Sequence, residues 1–286
     1  MQTRRNVLIG AACAAAMLPG AGIARAAPPA LFSSRRITVT TRGALARGGR
    51  DVLMIPGLAS GAGVWNGTIA RVPGHRYHLV QVRGFAGLAP DGNKAGPLLA
   101  PLADDIARYI REMRLAAPAI VGHSMGGTLA MMLALRPANS IGRLLVVDML
   151  PDGAAMVGGT SAGFGFLAGQ LNGYFTKTKA GRQMLADMVR QSRGGRDSDP
   201  QVIAQALSEL AQTDLGPQLT KIACPMEVIY ALPTDTQLRA AQGDRYRRAY
   251  APARRARIRP IGPSGHMIML DQPAAFANAL ANFLRE

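Results

Sequence analysis

The chain has 286 residues, 48% of them apolar, enough to bury one substantial core of the size common for a single α/β domain. Lysine and arginine outnumber the acidic residues 33 to 17, a formal net charge of +16 that invites loose contact with polyanions or anionic membrane surfaces; no nucleic-acid-binding module is visible, and no specific nucleic acid is expected. Two cysteines and four histidines exclude a disulfide framework and leave no evident metal-ligand cluster, since the nearest to one, His75-x-x-His78, reads as a loop residue and a strand start.

At the N-terminus, Thr3-Arg4-Arg5-Asn6-Val7-Leu8-Ile9 opens a moderately apolar, alanine-rich segment that closes on Ala24-Arg25-Ala26, a small-x-small cleavage pattern. Residues 1–26 are therefore expected to be a twin-arginine-type signal peptide cut after Ala26, with the periplasm as destination. The apolar part is short and interrupted by Gly and Pro, which speaks against a permanent membrane span. Gly10-Ala11-Ala12 before Cys13 lacks the aliphatic residue that a lipidation site wants. Cleavage would take away Arg4, Arg5 and Arg25 and no acid, leaving 30 basic against 17 acidic residues, a net charge of +13, with Cys224 as the remaining thiol.

Short apolar or alternating runs follow at Ile37–Thr40, Val52–Ile55, Leu79–Val82, Ala119–Val121, Leu144–Val147, Glu227–Tyr230 and Arg257–Ile261. They alternate with helical patterns at 100–114, 125–135 and 273–285, which predicts an α/β fold with a mostly parallel, doubly wound sheet covered on both faces. The first of these helices lines up Leu102, Ile106, Ile110 and Met113; the last opens on Pro273 and buries Phe276, Leu280 and Phe283 or Leu284. From Pro151 to Gly216 the alternation breaks. There a Gly-rich stretch at 157–173 precedes helical patterns near 179–192 and 200–212, the second opened by Ser198 or Asp199 as N-cap and Pro200 at N1. The expected plan is a catalytic core of residues 27–150 and 217–286 carrying a helical cap at 151–216. Phe164, Phe166, Leu167, Leu171, Phe175 and Met184 of that cap would roof an apolar pocket or simply bury the cap against the core. The late cluster Arg245, Arg247, Arg248, Arg254, Arg255, Arg257 and Arg259 reads first as a solvated helix and strand edge, and second as a patch for weak contact with an anionic membrane surface.

The chemistry concentrates at Gly122-His123-Ser124-Met125-Gly126, between the strand at 119–121 and the helix at 125–135. In a strand–turn–helix of this kind the flanking glycines allow a backbone tight enough to lift the serine hydroxyl above the sheet, with helix N–H groups behind it. Gly159-Thr160-Ser161-Ala162-Gly163 matches the same pattern but has no strand leading into it, so Ser161 reads as a loop serine. A serine nucleophile needs a base, a carboxylate to hold that base in the right tautomer, and N–H donors for the oxyanion. His266, in a turn between the last strand and the last helix, suits the base; His123 should point elsewhere and pack within the elbow.

On these residues, with Ile55-Pro56-Gly57-Leu58 and Trp65 behind it, Gln81–Gly87, and Gly265-His266 before Leu270-Asp271-Gln272-Pro273, the chain resembles the α/β-hydrolase superfamily over almost all of residues 27–286. The resemblance implies Ser124 as nucleophile, His266 as general base and acid, and the backbone N–H groups of Leu58 and Met125 as oxyanion hole. The common His-Gly pair of the oxyanion loop is here Pro56-Gly57. Family order places the acid after the strand before last, which points to Asp235, although Ala231 replaces the glycine of the usual turn and the aspartate comes one position late. Other members take the acid from the end of the strand after the elbow, where Asp148 stands. Asp235 is the expected acid and Asp148 its alternative. The expectation for function is an exported serine hydrolase of carboxylic esters or thioesters with no cofactor and no metal, acting on a small-molecule ester. The alternatives are a noncatalytic ligand-binding protein on the same fold and a membrane-associated lipase.

Overall fold

In the computed structural model, which describes residues 32–136, 141–153, 155–156, 178–181, 183 and 196–285, every apolar run named above is a strand. They are β1 (Ile37–Arg42), β2 (Asp51–Ile55), β3 (Arg76–Val82), β4 (Ala119–His123), β5 (Arg143–Val147), β6 (Met226–Ala231) and β7 (Ala256–Ile261). They form one sheet in the order β1-β3-β2-β4-β5-β6-β7, in which β1 is antiparallel to β3 and every other pairing is parallel. Strands buried on both faces have no polar side to show, which is why the sequence reads as near-continuous Val, Ile and Leu. Their side chains still alternate between two cores. Leu53, Ile55, Ile120, Leu144 and Val146 face one of them, and Val52, Met54, Val121, Leu145 and Val147 face the other.

Six helices of more than one turn cover the sheet among the described residues: α1 (Asn66–Arg71), α2 (Leu99–Glu112), α3 (Met125–Ala134), α4 (Pro200–Gln212), α5 (Thr236–Ala249) and α6 (Pro273–Arg285). Leu102 and Ile106 of α2, Leu129 of α3, Val202 and Leu210 of α4 and Tyr246 of α5 close the first core. Trp65 and Phe276, their rings stacked 6.2 Å apart, close the second with Leu280 and Phe283 of α6. From β2 the chain steps outward to β3 and then returns to the other side of β2 as β4. That reversal opens a crevice at the carboxyl ends of β2 and β4, the place where α/β sheets hold their ligands. Leu58 follows β2, and Ser124 follows β4 directly.

The helix expected at 200–212 is present, and Asp199 is its N-cap, accepting from Gln201 N and Val202 N, with Pro200 in the first turn. Ser198, the other candidate cap, instead accepts the N–H of Ala86 at 3.0 Å. Glu209 of α4 accepts the N–H groups of Leu98 at 2.7 Å and Leu99 at 2.8 Å, so one helix supplies the N-terminal cap of another, α2. Helix α4 is thus tied to the core by its apolar stripe and by its acid. Helix α5 holds Arg245, Arg247 and Arg248 and is the solvated helix expected of that cluster, although its start at Thr236 carries no apolar signal. It is rich in Arg, Gln and Ala, and only Gly243 and Tyr246 of it are buried, so no apolar period announces it. The signal peptide at 1–26, Ser161, Phe164, Phe166, Leu167, Leu171, Phe175 and Met184 lie outside the described residues.

Candidate active site

The elbow is built from close contacts that only glycine permits. A Cβ on Gly122 would lie 2.1 Å from the carbonyl oxygen of Gly126, and one on Gly126 would lie 2.2 Å from that of Ile55, so β2, β4 and α3 meet here backbone to backbone. Between them Ser124 takes φ +53° and ψ −123°, a region that costs a non-glycine residue about 1–3 kcal/mol. The surroundings hold it there: its N–H donates to Val147 O at 2.9 Å, and its carbonyl accepts from Gly127 N at 2.7 Å. Among the described residues Ser124 shares a positive φ with Asp148 and five other non-glycine residues, and is the one of them that stands between a strand and the helix it opens. The first-turn N–H of Met125 has no intrahelical acceptor and lies at the positive end of α3. The β2 loop comes against Ser124 at Gly57, where a Cβ would stand 3.0 Å from Ser124 Cβ and 2.8 Å from His123 Nδ1. Leu58 is the next residue of that loop.

His266 sits between β7 and the one-turn helix Ile268–Asp271. Its loop is fastened on both sides: Ser264 N donates to Leu232 O at 2.9 Å, and Gly265 N donates to Asp271 Oδ2 at 2.9 Å. The carbonyl of His266 accepts from His123 Nε2 at 2.9 Å, and the two rings lie 4.6 Å apart. His123 is therefore a buried brace for the histidine loop. Burial pushes its pKa down to about 3, with the charge of His266 acting the same way, so His123 stays neutral.

The acid beside His266 is Asp148. Its Oδ2 lies 2.7 Å from His266 Nδ1, and its Oδ1 accepts from Ala231 N and from the hydroxyl of Tyr246, each at 2.9 Å. Asp148 is 1% exposed. Burial pushes its carboxyl up, but the hydrogen bond and charge of His266, with the Ala231 N–H, outweigh that and hold it below the usual carboxylate range. With a carboxylate at Nδ1, the imidazole carries its proton there and presents Nε2 as the basic nitrogen. The expectation of Asp235 is thereby corrected. Asp235 is the N-cap of α5, accepting from Gln237 N at 2.8 Å and Leu238 N at 3.0 Å, on the exposed side of the β6 loop. Its position after β6 and its late place in the turn come from starting a helix. Asp148, the alternative, is where the carboxylate stands.

Tyr246 is not among the expected site residues; a single inward tyrosine in an arginine-rich helix is the signal that could have found it. Of the arginine cluster, Arg259 pairs with Glu227 at 2.9 Å and Arg247 with Asp244 at 2.5 Å, while Arg245 donates to the carbonyl of Ala155. Arg254 and Arg255 are exposed at the opposite end of the sheet from Ser124, before β7, where they edge a cleft of about 490 Å³ floored by Leu219, Ile222, Cys224 and Met226.

This geometry can be set against known proteins. A model of the alpha/beta hydrolase family matches residues 52–279. The chain belongs to that family. Among solved structures, this alpha/beta hydrolase is similar to the enol-lactonase of Burkholderia xenovorans LB400, with TM-score 0.64, 20% identity and coverage of 87% of this chain and 96% of that one. It is similar also to the esterase EaEST of Exiguobacterium antarcticum, with TM-score 0.62, 19% identity and coverage of 87% and 96%. In sequence it is 29% identical over 101 residues to RutD of Azorhizobium caulinodans, to which carbamate hydrolysis is ascribed; the match spans 35% of this chain and 37% of that relative's length. At these identities the solved structures speak for the fold, and the mostly parallel sheet is the one the strand pattern predicted.

Proposed function

We propose that this alpha/beta hydrolase is a serine hydrolase that cleaves carboxylic esters or thioesters through an acyl-enzyme. The observation that carries the reading is the contact of His266 Nδ1 with the buried Asp148 carboxylate, beside a serine held in a strained elbow at the mouth of the crevice. Asp148 keeps His266 in the tautomer whose Nε2 takes the Ser124 proton as Oγ bonds to the ester carbonyl carbon. The oxyanion then formed is met by the N–H groups of Met125 and Leu58. Collapse breaks the bond to the leaving alcohol or thiol, which takes the proton from His266, and water repeats the sequence to release the acid and restore Ser124. The names of the similar esterase and enol-lactonase support an ester carbonyl as the target class.

The first test is fluorophosphonate labelling of the purified protein with peptide mapping. The expected result is one adduct, on Ser124, absent from Ser124→Ala, whose hydrolysis of p-nitrophenyl butyrate falls at least about a thousandfold. A folded protein that takes no label, or takes it elsewhere, overturns the reading. We propose also that the protein is exported through the signal at residues 1–26, on the support of its Arg4-Arg5 and Ala24-Arg25-Ala26. Cell fractionation with N-terminal sequencing should find the mature chain outside the cytoplasm and starting at Ala27.

A further inference from the structure

Placing the acid at the end of β5 sets a problem that Tyr246 solves. Asp148 lies under α5 with 1% of its surface exposed, so water does not solvate its second oxygen and every lone pair there depends on a protein donor. Ala231 N supplies one such donor from β6. The other is the hydroxyl of Tyr246, a residue with no exposed surface on a helix that otherwise turns arginines and glutamines to solvent. The tyrosine is fixed in its turn. Its ring stacks on Tyr230 of β6 at 4.5 Å and 14° and lies nearly parallel to Tyr250, 6.4 Å away. The chain Tyr246–Asp148–His266 is therefore a continuous line of hydrogen bonds from the aromatic stack to the imidazole.

We infer that Tyr246 is a positioning residue for this site, orienting the Asp148 carboxylate toward His266 and stabilising its charge, a role that rests on the serine-hydrolase reading and deepens it. The groups facing Asp148 are His266 and Ala231 N from the loops after β7 and along β6, His123 from β4, and Arg245, Tyr246 and Tyr250 from α5 and its end, with Asp152 near Arg245. Burial holds the phenol of Tyr246 well above its ordinary range, so it stays a donor throughout. The unprotonated Asp148–His266 pair carries one net negative charge and the protonated pair carries none. A hydroxyl aimed at the carboxylate favours the first, so its loss makes the pair take up a proton at higher pH.

The test compares Tyr246→Phe with wild type by p-nitrophenyl butyrate kinetics and by the rate of fluorophosphonate labelling, each across pH. Tyr246→Phe should lower kcat about tenfold with KM within about twofold, since a hydrogen bond to a charged group is lost without touching the substrate site. The acid limb of both profiles should move up by about one pH unit. Tyr250→Phe removes a hydroxyl from the same stack, one that donates to Met149 O at 2.7 Å, and should leave both profiles in place. In an Asp148→Asn background, Tyr246→Phe should cost less than about twofold. Fluorotyrosine placed at 246 keeps the fold and donates more strongly, so it should move the limb down, which tests the role even if Tyr246→Phe does not fold. Profiles that superimpose for wild type and the folded Tyr246 variants, with Ser124 labelled in all, overturn the role of Tyr246 alone. A wild type that takes no label overturns the hydrolase reading beneath it.

Discussion

Replacing Asp148 with Asn tests the site where its geometry is most exacting. The carboxylate holds three donors: His266 Nδ1 at 2.7 Å on Oδ2, and Ala231 N and the Tyr246 hydroxyl at 2.9 Å on Oδ1. An asparagine has one oxygen, and keeping the two bonds at Oδ1 spends it there. Its NH₂ then faces His266 Nδ1, which can accept that donor only by moving its own proton to Nε2, the nitrogen that should receive the serine proton. The wrong tautomer of an otherwise intact triad lowers kcat about ten-thousandfold, roughly 5.5 kcal/mol of barrier. Asp235→Ala is the comparison, since that side chain accepts from Gln237 N and Leu238 N at the start of α5. It should cost about 1 kcal/mol of stability as a lost N-cap while kcat stays within about twofold. Both are read by p-nitrophenyl butyrate turnover alongside urea melts. Full activity in a folded Asp148→Asn, or a loss of orders of magnitude in Asp235→Ala, would refute the assignment of the acid.

Two further outcomes follow from the packing around Ser124. Gly57→Ala puts a Cβ 2.8 Å from His123 Nδ1 and 3.0 Å from Ser124 Cβ, so the oxyanion loop must retreat; kcat/KM should fall more than about tenfold with about 1–3 kcal/mol of lost stability, and a variant with wild-type kinetics argues against Leu58 as an oxyanion donor. His123 is held neutral by burial with its pKa lowered to about 3, whereas the unfolded chain protonates it at an ordinary histidine value near 6.5. Its contribution is therefore complete above about pH 6.5 and is lost as pH falls toward 3, by roughly 5 kcal/mol in all. Urea midpoints should drop between pH 7 and pH 4, and His123→Gln, which keeps a donor for His266 O, should flatten that drop; equal slopes in both proteins would exclude His123 as its source.

Where the pattern of residues was strong, the sequence could be read directly. The strands are legible because β2, β4 and β5 lie inside the sheet and are apolar along most of their length, with polar residues only at their ends, and the elbow because Gly122 and Gly126 have carbonyls where a Cβ would go. Helix α5 was legible only as an arginine-rich solvated face, not in its extent or its inward side: neighbours ask for little apolar surface from it, and one tyrosine makes its buried contact. The unread start of that helix also bears on the acid: as a turn residue after β6, Asp235 looked free to turn inward, whereas its side chain is engaged in starting α5. Val146-Val147-Asp148 held the alternative that lies against His266, but its weight depends on β5 lying beside β4, a fact of strand order that no local pattern contains.

The bond from Ser124 N to Val147 O has a mechanical consequence. It joins Ser124, the proposed nucleophile, to the residue just before Asp148, whose own N–H is fastened to Ile229 O at 2.7 Å. Two of the three groups thus ride on adjacent strands of one hydrogen-bonded lattice, so when the sheet breathes they are displaced together and their separation is conserved. Only His266 arrives from outside that lattice, on a loop. The alignment of the site therefore reduces to one coordinate, the seating of that loop, which the brace from His123 shares with the two fastenings at Ser264 and Gly265.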